Sequence, residues 1–528
     1  MDHMGGRSSV SARSLLARVC HTFRTYIARG TPLLRLDLEP EQAMMAALAS
    51  SAGALTTLHV SPIACLRLYN HCLLHAEIAE QPERLALVRA RIASFARPVT
   101  VFIEPFEESS LHQDEVSQSI TAHAVCWLAH KLAISHTIAH VHIAWLSVNQ
   151  GTDFAELLAL MSSPKVEVDG CVRVSLVGVS ELAVADVTPA LVAMSLHPVR
   201  LLSVRVEEQD ANISQLLRLT RAPHVRVLVV NSRFGLNGPI GQALAQNGTV
   251  RRVDVFFRKL TPRSFTFLHA MCTDHAYPDG LLIGISLARA KAPLRANADL
   301  VAALEGARVG ASLGIHLNTM WTLEAYGALQ TLLDNNPDIT SLALTIADIE
   351  CDFNELNLNA GGVGFGHSSD DFPLRLPVNI TSASLRFKHA LMIMLLGSAT
   401  LEGVEALDVH LERANHDMEV DMFNALQITA NALNHTLTTA PRLRHLTLRM
   451  GGTRGLLLYG VAKPLAATGR ALESVTVEFD LVELVAPPGE WQAAVRRILA
   501  AGSAARSRTR WVFRVRENEM ARSEELVI

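Results

Sequence analysis

The chain has 528 residues, of which 49% are hydrophobic and 19% charged, and its formal net charge at pH 7 is -4. This composition excludes a disordered chain, and the slightly acidic balance disfavours a nucleic-acid partner, since that role usually needs a basic surface. The length exceeds what one compact core normally supports, so we expect several domains or one elongated array of repeats.

Cysteine usage and hydropathy indicate the cellular compartment of the protein. The seven cysteines include no Cys-x-x-Cys pair, which argues against a disulfide framework or a zinc module and favours a reducing compartment. The most apolar run begins at Ala390 and is shorter than the roughly 20 residues that a membrane-spanning helix needs. We therefore predict a cytoplasmic protein without integral membrane association.

Residues 1–30 form a basic segment that is rich in Ser and Arg, and no acidic residue lies between His3 and Leu36. Such a composition is typical of targeting segments, but the apolar stretch of a secretory signal is missing. Three interpretations stay open: an organelle transit peptide, a type III export signal of a bacterium, or a basic first helix that caps the fold.

From residue 31 onward, short strand-like stretches alternate with helix-like segments. The strands share the template apolar-x-x-apolar-x-apolar, as in "LLRLDL" at Leu33, "CVRVSL" at Cys171 and "VRRVDV" at Val250. Helix-like segments such as "TDFAELLALMSSP" carry apolar residues three and four positions apart, and Gly, Pro or Asn separates them from the next strand. The spacing between successive strands is close to that of leucine-rich repeats.

The junctions "ALAQNGTVRRVDV", "LLDNNPDITSLAL" and "TTAPRLRHLTL" resemble the helix-turn-strand junctions of leucine-rich-repeat proteins. The resemblance is strongest to the ribonuclease-inhibitor-like type and to the GALA-type effectors that bacteria export into host cells, and it covers roughly residues 31 to 515. It implies an α/β fold, namely a solenoid or horseshoe with short parallel strands on the concave face and helices on the convex face.

The chain also departs from the repeat pattern. Such repeats usually place Asn or Cys three residues after the last apolar position of the strand, where this chain has Glu41, Ile63, Arg258 and Gly451. We therefore expect an irregular solenoid. The alternative is a doubly wound α/β sheet, but polar residues alternate with apolar ones in these strands, so one face should be wet.

Three segments follow from this interpretation. Residues 1–30 are the targeting segment or cap, residues 31–520 are the solenoid with a loop insertion at 357–377, and residues 521–528 are a C-terminal tail.

No motif predicts a reaction, a metal or a cofactor. The glycine-rich stretch from Ala360 runs into prolines and not into a helix, so we interpret it as a surface loop. His71 and His75 lie one helical turn apart, but only Cys65 is near enough in sequence to be a third metal ligand. "CTD" at Cys272 has the Cys-x-Asp form of one class of bacterial effector ubiquitin ligases, in which the cysteine belongs to a separate helical domain. We predict a protein that is not an enzyme and has no cofactor.

Polar positions of the strands should point to the concave face, where repeat proteins bind partners. Arg and aromatic residues are frequent anchors of protein interfaces. On this basis the candidate protein-binding residues are His140, His142, Arg173, Arg205, Arg252, Asp254, Phe256, His316 and Asn318.

The sequence thus predicts a non-enzymatic scaffold for protein–protein interaction. Our specific hypothesis is a bacterial effector that binds a host protein through its concave sheet. The alternatives are a substrate-recognition subunit of a ubiquitin ligase and an enzyme on a compact α/β fold.

Overall fold

The computed structural model describes most strands and helices of the chain and their connecting turns. These residues are 33–36, 41–51, 53–73, 90, 92–104, 115–149, 152–176, 184–206, 211–229, 239–258, 262–272, 275–285, 296–304, 307–316, 320–321, 323–346, 348–349, 375–389, 399–413, 422–454, 461–462, 465–466, 472–483, 490–501, 509–517 and 522–527. The predicted segment 1–30, the glycine-rich stretch and most of the predicted insertion 357–377 lie outside them.

The chain divides into two compact units. Unit 1 comprises Met1–Phe234 and Gln246–Val250, and unit 2 comprises Gly235–Ala245 and Arg251–Ile528.

Unit 1 alternates strands with helices. Its elements are β1 (Leu33–Leu36), α1 (Glu41–Ser51), β2 (Thr57–Val60), α2 (Pro62–Leu73), β3 (Val99–Ile103), α3 (Glu115–Ala133), β4 (Ile138–Val148), α4 (Phe154–Met161), β5 (Val166–Ser175), α5 (Val184–Ser195), β6 (Leu201–Val206), α6 (Ala211–Leu219) and β7 (His224–Val229). The strands pair in chain order from β1 to β7, and every pair is parallel.

Unit 2 continues the same alternation. Its elements are α7 (Pro239–Ala245), β8 (Arg252–Phe257), α8 (Pro262–Cys272), β9 (Ala276–Tyr277), β10 (Gly280–Ile285), α9 (Ala296–Ala303), β11 (Arg308–Val309), β12 (Ser312–His316), β13 (Met320–Trp321), α10 (Leu323–Asp334), β14 (Ser341–Ile346), β15 (Asp348–Ile349), β16 (Ser382–His389), β17 (Ala406–Arg413), α11 (Met422–Thr439), β18 (His445–Arg454), β19 (Ser474–Glu483), α12 (Glu490–Ala501), β20 (Arg510–Glu517) and β21 (Arg522–Val527).

The main sheet of unit 2 is also built in chain order. Strands β8, β10, β12, β14, β16, β17, β18, β19 and β20 pair in parallel, each with the next. The last strand, β21, pairs antiparallel with β20, so the residues predicted to be a tail include a strand. Two short parallel pairs, β9 with β11 and β13 with β15, lie outside the main sheet.

The core of each unit lies between the strands and the helices. In β3, Val99, Val101 and Ile103 are fully buried while the residues between them are partly exposed. Helices pack on each other in chain order, α2 on α3 and onward to α6, and α7 on α8 and onward to α10. In unit 2 the rings of Phe257 from β8 and Phe267 from α8 meet edge to face, with centroids 6.2 Å apart. The predicted α/β architecture of alternating strands and helices on a parallel sheet is confirmed.

Asparagines hold the turns that lead into several strands. Buried Asn247 donates from Nδ2 to the carbonyl oxygens of Leu217 and Thr220, at 2.7 and 2.9 Å, and accepts from the backbone N–H of Thr249. Asn336 is buried in the corresponding turn before β14. These asparagines lie before the strand, where they tie one turn to the backbone of the preceding strand–helix unit.

A bulge between β4 and β5 changes the register of unit 1. Ile143 is opposite Val168, but the next paired residues are Trp145 and Cys171, so β5 contains one more residue than β4 in this interval. Gly170 lies in the bulge, and a Cβ atom there would overlap the backbone of β4. Only glycine fits this close approach of two strands.

The bulge also changes which residues of β4 face the core. Val141 and Ile143 are opposite core residues of β5 in the first half of the strand, whereas Leu146 and Val148 are so in the second half. The positions of β4 on the side away from the core therefore change from even to odd numbers along the strand, and the odd-numbered Trp145 and Ser147 are themselves buried.

Among the described helices, none is long and apolar enough to cross a membrane.

Candidate protein-binding faces

Each main sheet has an open face, formed by the strand side chains that alternate with the core residues. In β2, for example, Leu58 and Val60 are buried, whereas Thr57 and His59 are partly exposed. Because the strands pair in register, open-face side chains of neighbouring strands form rows across the sheet.

The most ordered row of unit 1 crosses five strands. Arg35, His59, Phe102, His142 and Glu167 are register partners from β1 to β5, and we call them the aromatic row. The rings of His59 and Phe102 stack with centroids 4.9 Å apart, and those of Phe102 and His142 stack at 4.8 Å with an angle of 9° between their planes. This distance equals the spacing of strands in a sheet, so the backbone itself sets the stack.

Carboxylates orient both histidines of the aromatic row. Glu104 lies just after β3; its Oε1 is 3.1 Å from Nδ1 of His59 and its Oε2 accepts from Nη2 of Arg35 at 2.7 Å. At the other end, Nδ1 of His142 lies 3.2 Å from Oε2 of Glu167. A neutral histidine whose Nδ1–H donates to a carboxylate presents Nε2 as a hydrogen-bond acceptor. Within the described part of the chain, neither Nε2 atom has a hydrogen-bond partner.

His140, the other candidate in β4, is exposed beside the aromatic row. It is the register partner of Thr100, and its ring centroid lies 6.3 Å from that of His142. The structure thus brings His140 and His142 together on one exposed patch.

Arg173 and Arg205 lie in other rows, because they are further along their strands than Glu167, the partner of His142. Arg173 is opposite Ser147 on one side and Ser203 on the other, and Arg205 is opposite Ser175. Both arginines are partly exposed and are engaged by other groups of the protein.

In unit 2, three candidates share strand β8. Nε of Arg252 lies 3.0 Å from Oδ1 of Asp254, and this carboxylate is buried. Phe256 is partly exposed and is opposite Gly284, where an added Cβ would lie 3.0 Å from the phenyl ring. The glycine therefore leaves room for the ring.

His316 occupies the row of Phe256, two strands further along. Its Nδ1 is 2.9 Å from Oγ1 of Thr345, and burial, helped by the positive charge of Arg386, lowers its pKa. The nearby carboxylate of Asp254 opposes this shift only in part. Asn318 lies outside the described residues.

A row of ion pairs at the far end of the same sheet was not predicted from the sequence. Arg449 reaches Oδ2 of Asp408 at 3.0 Å and Oε2 of Glu478 at 3.3 Å, and Arg514 contacts Oε1 of Glu478 at 2.8 Å. Burial raises the pKa of Asp408 in spite of the adjacent Arg449. Because its charges are largely paired with one another, we regard this row as less available to a partner than the aromatic row.

The cysteines considered as nucleophiles or metal ligands lie in environments that do not favour either role. Cys272 is buried, and burial raises the pKa of its thiol to about 12, so the nucleophilic thiolate is scarce at neutral pH. Cys65 is buried as well, and burial raises its pKa further. In the described ranges, no three His, Cys, Asp or Glu side chains converge as metal ligands would. His75 lies outside these ranges.

No model of a known protein family matches this chain, and no curated protein matches it at a significant level.

Phe102 and Glu104 are the main residues that sequence reasoning missed. The signal was present in "VTVFIEP", because apolar residues at 99, 101 and 103 predict that residue 102 faces outward. The contribution of Glu104 could not be predicted, since it depends on strands that are distant in sequence.

Proposed function

We propose that this protein is a non-enzymatic scaffold that binds a protein partner through the open face of its parallel sheet. The observation that carries the proposal is the aromatic row. It is an aligned set of side chains on five adjacent strands, in which the charged ends are exposed and the histidine and phenylalanine rings are partly exposed.

Two properties of the row support protein binding. Each of its side chains is already held by a neighbour, so little conformational entropy remains to be lost when a partner is bound. Aromatic residues surrounded by charged groups also match the composition of interface anchors and rims. The buried thiols and the lack of converging metal ligands in the described residues give no comparable support to a catalytic role.

The relation to leucine-rich-repeat proteins is part of this proposal. It is supported by parallel strands that follow one another in chain order and alternate with helices in each unit. The more specific hypothesis, an effector that a bacterium exports into the host cytoplasm, is supported by the basic, Ser-rich composition of residues 1–30. A secretion reporter fused to these residues tests it, and a reporter that stays in the bacterium would contradict export.

Site-specific photocrosslinking tests the scaffold proposal. A photoreactive amino acid is placed at His140, which is exposed beside the aromatic row, or at Arg218, which is exposed on α6. Both proteins are irradiated in host-type lysate and the products are identified by mass spectrometry. We expect one partner to crosslink at position 140 and not at position 218.

A second pair of variants shows whether the row itself is required. Phe102→Ala breaks the stack, and Arg218→Ala is the matched surface substitution. The crosslink at position 140 should be lost with the first and kept with the second, provided that thermal melts show both to be folded. Crosslinking that is the same at both positions, or that survives Phe102→Ala, would contradict the proposal.

A further inference from the structure

We infer that the partner segment bound by the aromatic row is an extended cationic peptide with two arginine or lysine side chains about four residues apart. This inference rests on the proposed function and names the chemistry of the partner.

The charge of the aromatic row is the first argument. Three carboxylates lie along the row, those of Glu104, Glu167 and Asp169, and Arg35 is its one guanidinium, whereas Arg173 and Arg205 lie in other rows of the same face. Asp169 follows Glu167 on the open face of β5 and is exposed, and it forms no salt bridge within the described residues. The side chain of Glu167 is 52% exposed. Because Glu104 is paired with Arg35, the negative charge of the row lies mainly at its β5 end, at Glu167 and Asp169.

Hydrogen bonding points the same way. The Nδ1 atoms of His59 and His142 are taken up by Glu104 and Glu167, so their Nε2 atoms are acceptors in the neutral form. Carboxylate oxygens are acceptors as well. The exposed edge of the row thus offers acceptors to a partner, and guanidinium and ammonium groups consist of donors only.

An acidic partner fits the aromatic row poorly. The guanidinium of Arg35 is already engaged by Glu104 at 2.7 Å, so an incoming carboxylate would have to displace this contact and meet Glu104. Like charges brought together in an interface disfavour binding.

The spacing of the carboxylates sets the spacing of the basic residues. Glu104 is bound to His59, and Glu167 lies three strands from His59 along the row, which corresponds to about 14 Å. An extended peptide rises by about 3.3 Å per residue, so side chains at positions i and i+4 are about 13 Å apart. Two basic residues with this separation can reach Glu167 at one end and, in competition with Arg35, Glu104 at the other.

Fluorescence anisotropy with synthetic peptides tests the inference. The probe is a labelled Gly/Ser peptide with arginines at two positions four residues apart, and its comparison peptides carry glutamates at these positions or place the arginines next to each other. The full chain is titrated at low salt, where screening is weak. We expect the i,i+4 arginine peptide to bind most tightly and the glutamate peptide not to bind.

Charge-neutralising variants localise the binding. Glu104→Gln, Glu167→Gln and Asp169→Asn are combined in one protein, and we expect about tenfold weaker binding because three modest charge interactions are lost. The matched control combines Asp334→Asn, Asp338→Asn and Glu402→Gln, three exposed carboxylates of unit 2, and should change the affinity less than twofold. If the triple variant does not fold, Asp169→Asn alone should still weaken binding, since this carboxylate has no structural partner among the described residues.

Equal binding of the arginine and glutamate peptides, or equal weakening by the two triple variants, would overturn the inference. These outcomes are separable from failure of the scaffold proposal. If the photocrosslink at position 140 is found but the cationic peptides do not bind, the scaffold stands and the partner chemistry is wrong.

Discussion

The turn before β14 provides a test of what holds consecutive repeats together, because two adjacent asparagines there have opposite environments. Asn336 is 6% exposed; its Nδ2 donates to the carbonyl oxygen of Leu332 at 2.8 Å and its Oδ1 accepts from the backbone N–H of Val309 at 2.8 Å. Asn335 is exposed, and its side chain has no hydrogen-bond partner in the described residues.

Replacing Asn336 by Ala removes both hydrogen bonds and leaves a buried N–H and a buried C=O without a partner. Each lost bond costs about 1 kcal/mol, and an unsatisfied buried group adds about as much again, so the free energy of unfolding should fall by about 2–4 kcal/mol. For a unit of this size, that corresponds to a decrease in Tm of about 4–12 °C.

Differential scanning calorimetry of Asn336→Ala and Asn335→Ala measures the difference directly. Asn335→Ala should change the free energy of unfolding by less than about 0.5 kcal/mol, as expected for an exposed position. If the two variants melt together, the buried asparagine does not tie the repeats, and the interpretation of these turns is wrong.

Three further predictions concern single positions. Gly170→Ala places a Cβ atom on the backbone of β4 and should lower the free energy of unfolding by about 3 kcal/mol, measured by urea denaturation. His316 has a folded-state pKa below its ordinary value of 6.5, so the unfolded chain takes up this proton first and stability falls as the pH drops below 6.5; the stability difference between wild type and His316→Gln should therefore shrink between pH 7.5 and pH 5.5. Cys272 should resist a thiol reagent until the protein unfolds, whereas the partly exposed Cys171 should react in the native state, as mapped by mass spectrometry.

Each of these predictions has a comparison that can contradict it. Gly248→Ala should be nearly neutral, because an added Cβ there meets nothing within 4 Å, and an equal loss at both glycines would remove the steric explanation. If the stability difference between wild type and His316→Gln does not change with pH, the pKa of His316 is not lowered by folding. Rapid native-state modification of Cys272 would show that its burial is transient.

The fold was predictable because its signals are local. Alternation such as Val99, Val101 and Ile103 selects a half-buried strand within a few residues, and Asn247 with Gly248 ends a helix where the next strand begins. Repetition of these short signals is sufficient to predict alternating strands and helices on a parallel sheet.

The candidate site was less predictable because rows depend on register between strands. The strand template does not fix which residues of two long strands pair: His142 lies opposite Glu167, well before Ser175, the partner of Arg205, so the histidine and the arginine are in separate rows. Phe102 connects the two histidines only because β2, β3 and β4 are neighbours without offset at this level. The level at which two strands begin to pair is invisible to a periodic pattern and decides which side chains meet.

The bulge between β4 and β5 also has an evolutionary consequence. Repeats stacked in regular register can be duplicated, lost or exchanged as blocks, since each forms the same packing interface with its neighbours. The contact at Gly170 is different: it needs a glycine and one extra residue in β5, because a Cβ atom there would overlap the backbone of Ala144 in β4. We therefore expect relatives of this protein to vary in the number of repeats before β4 and after β5, and to keep β4 and β5 together as one unit.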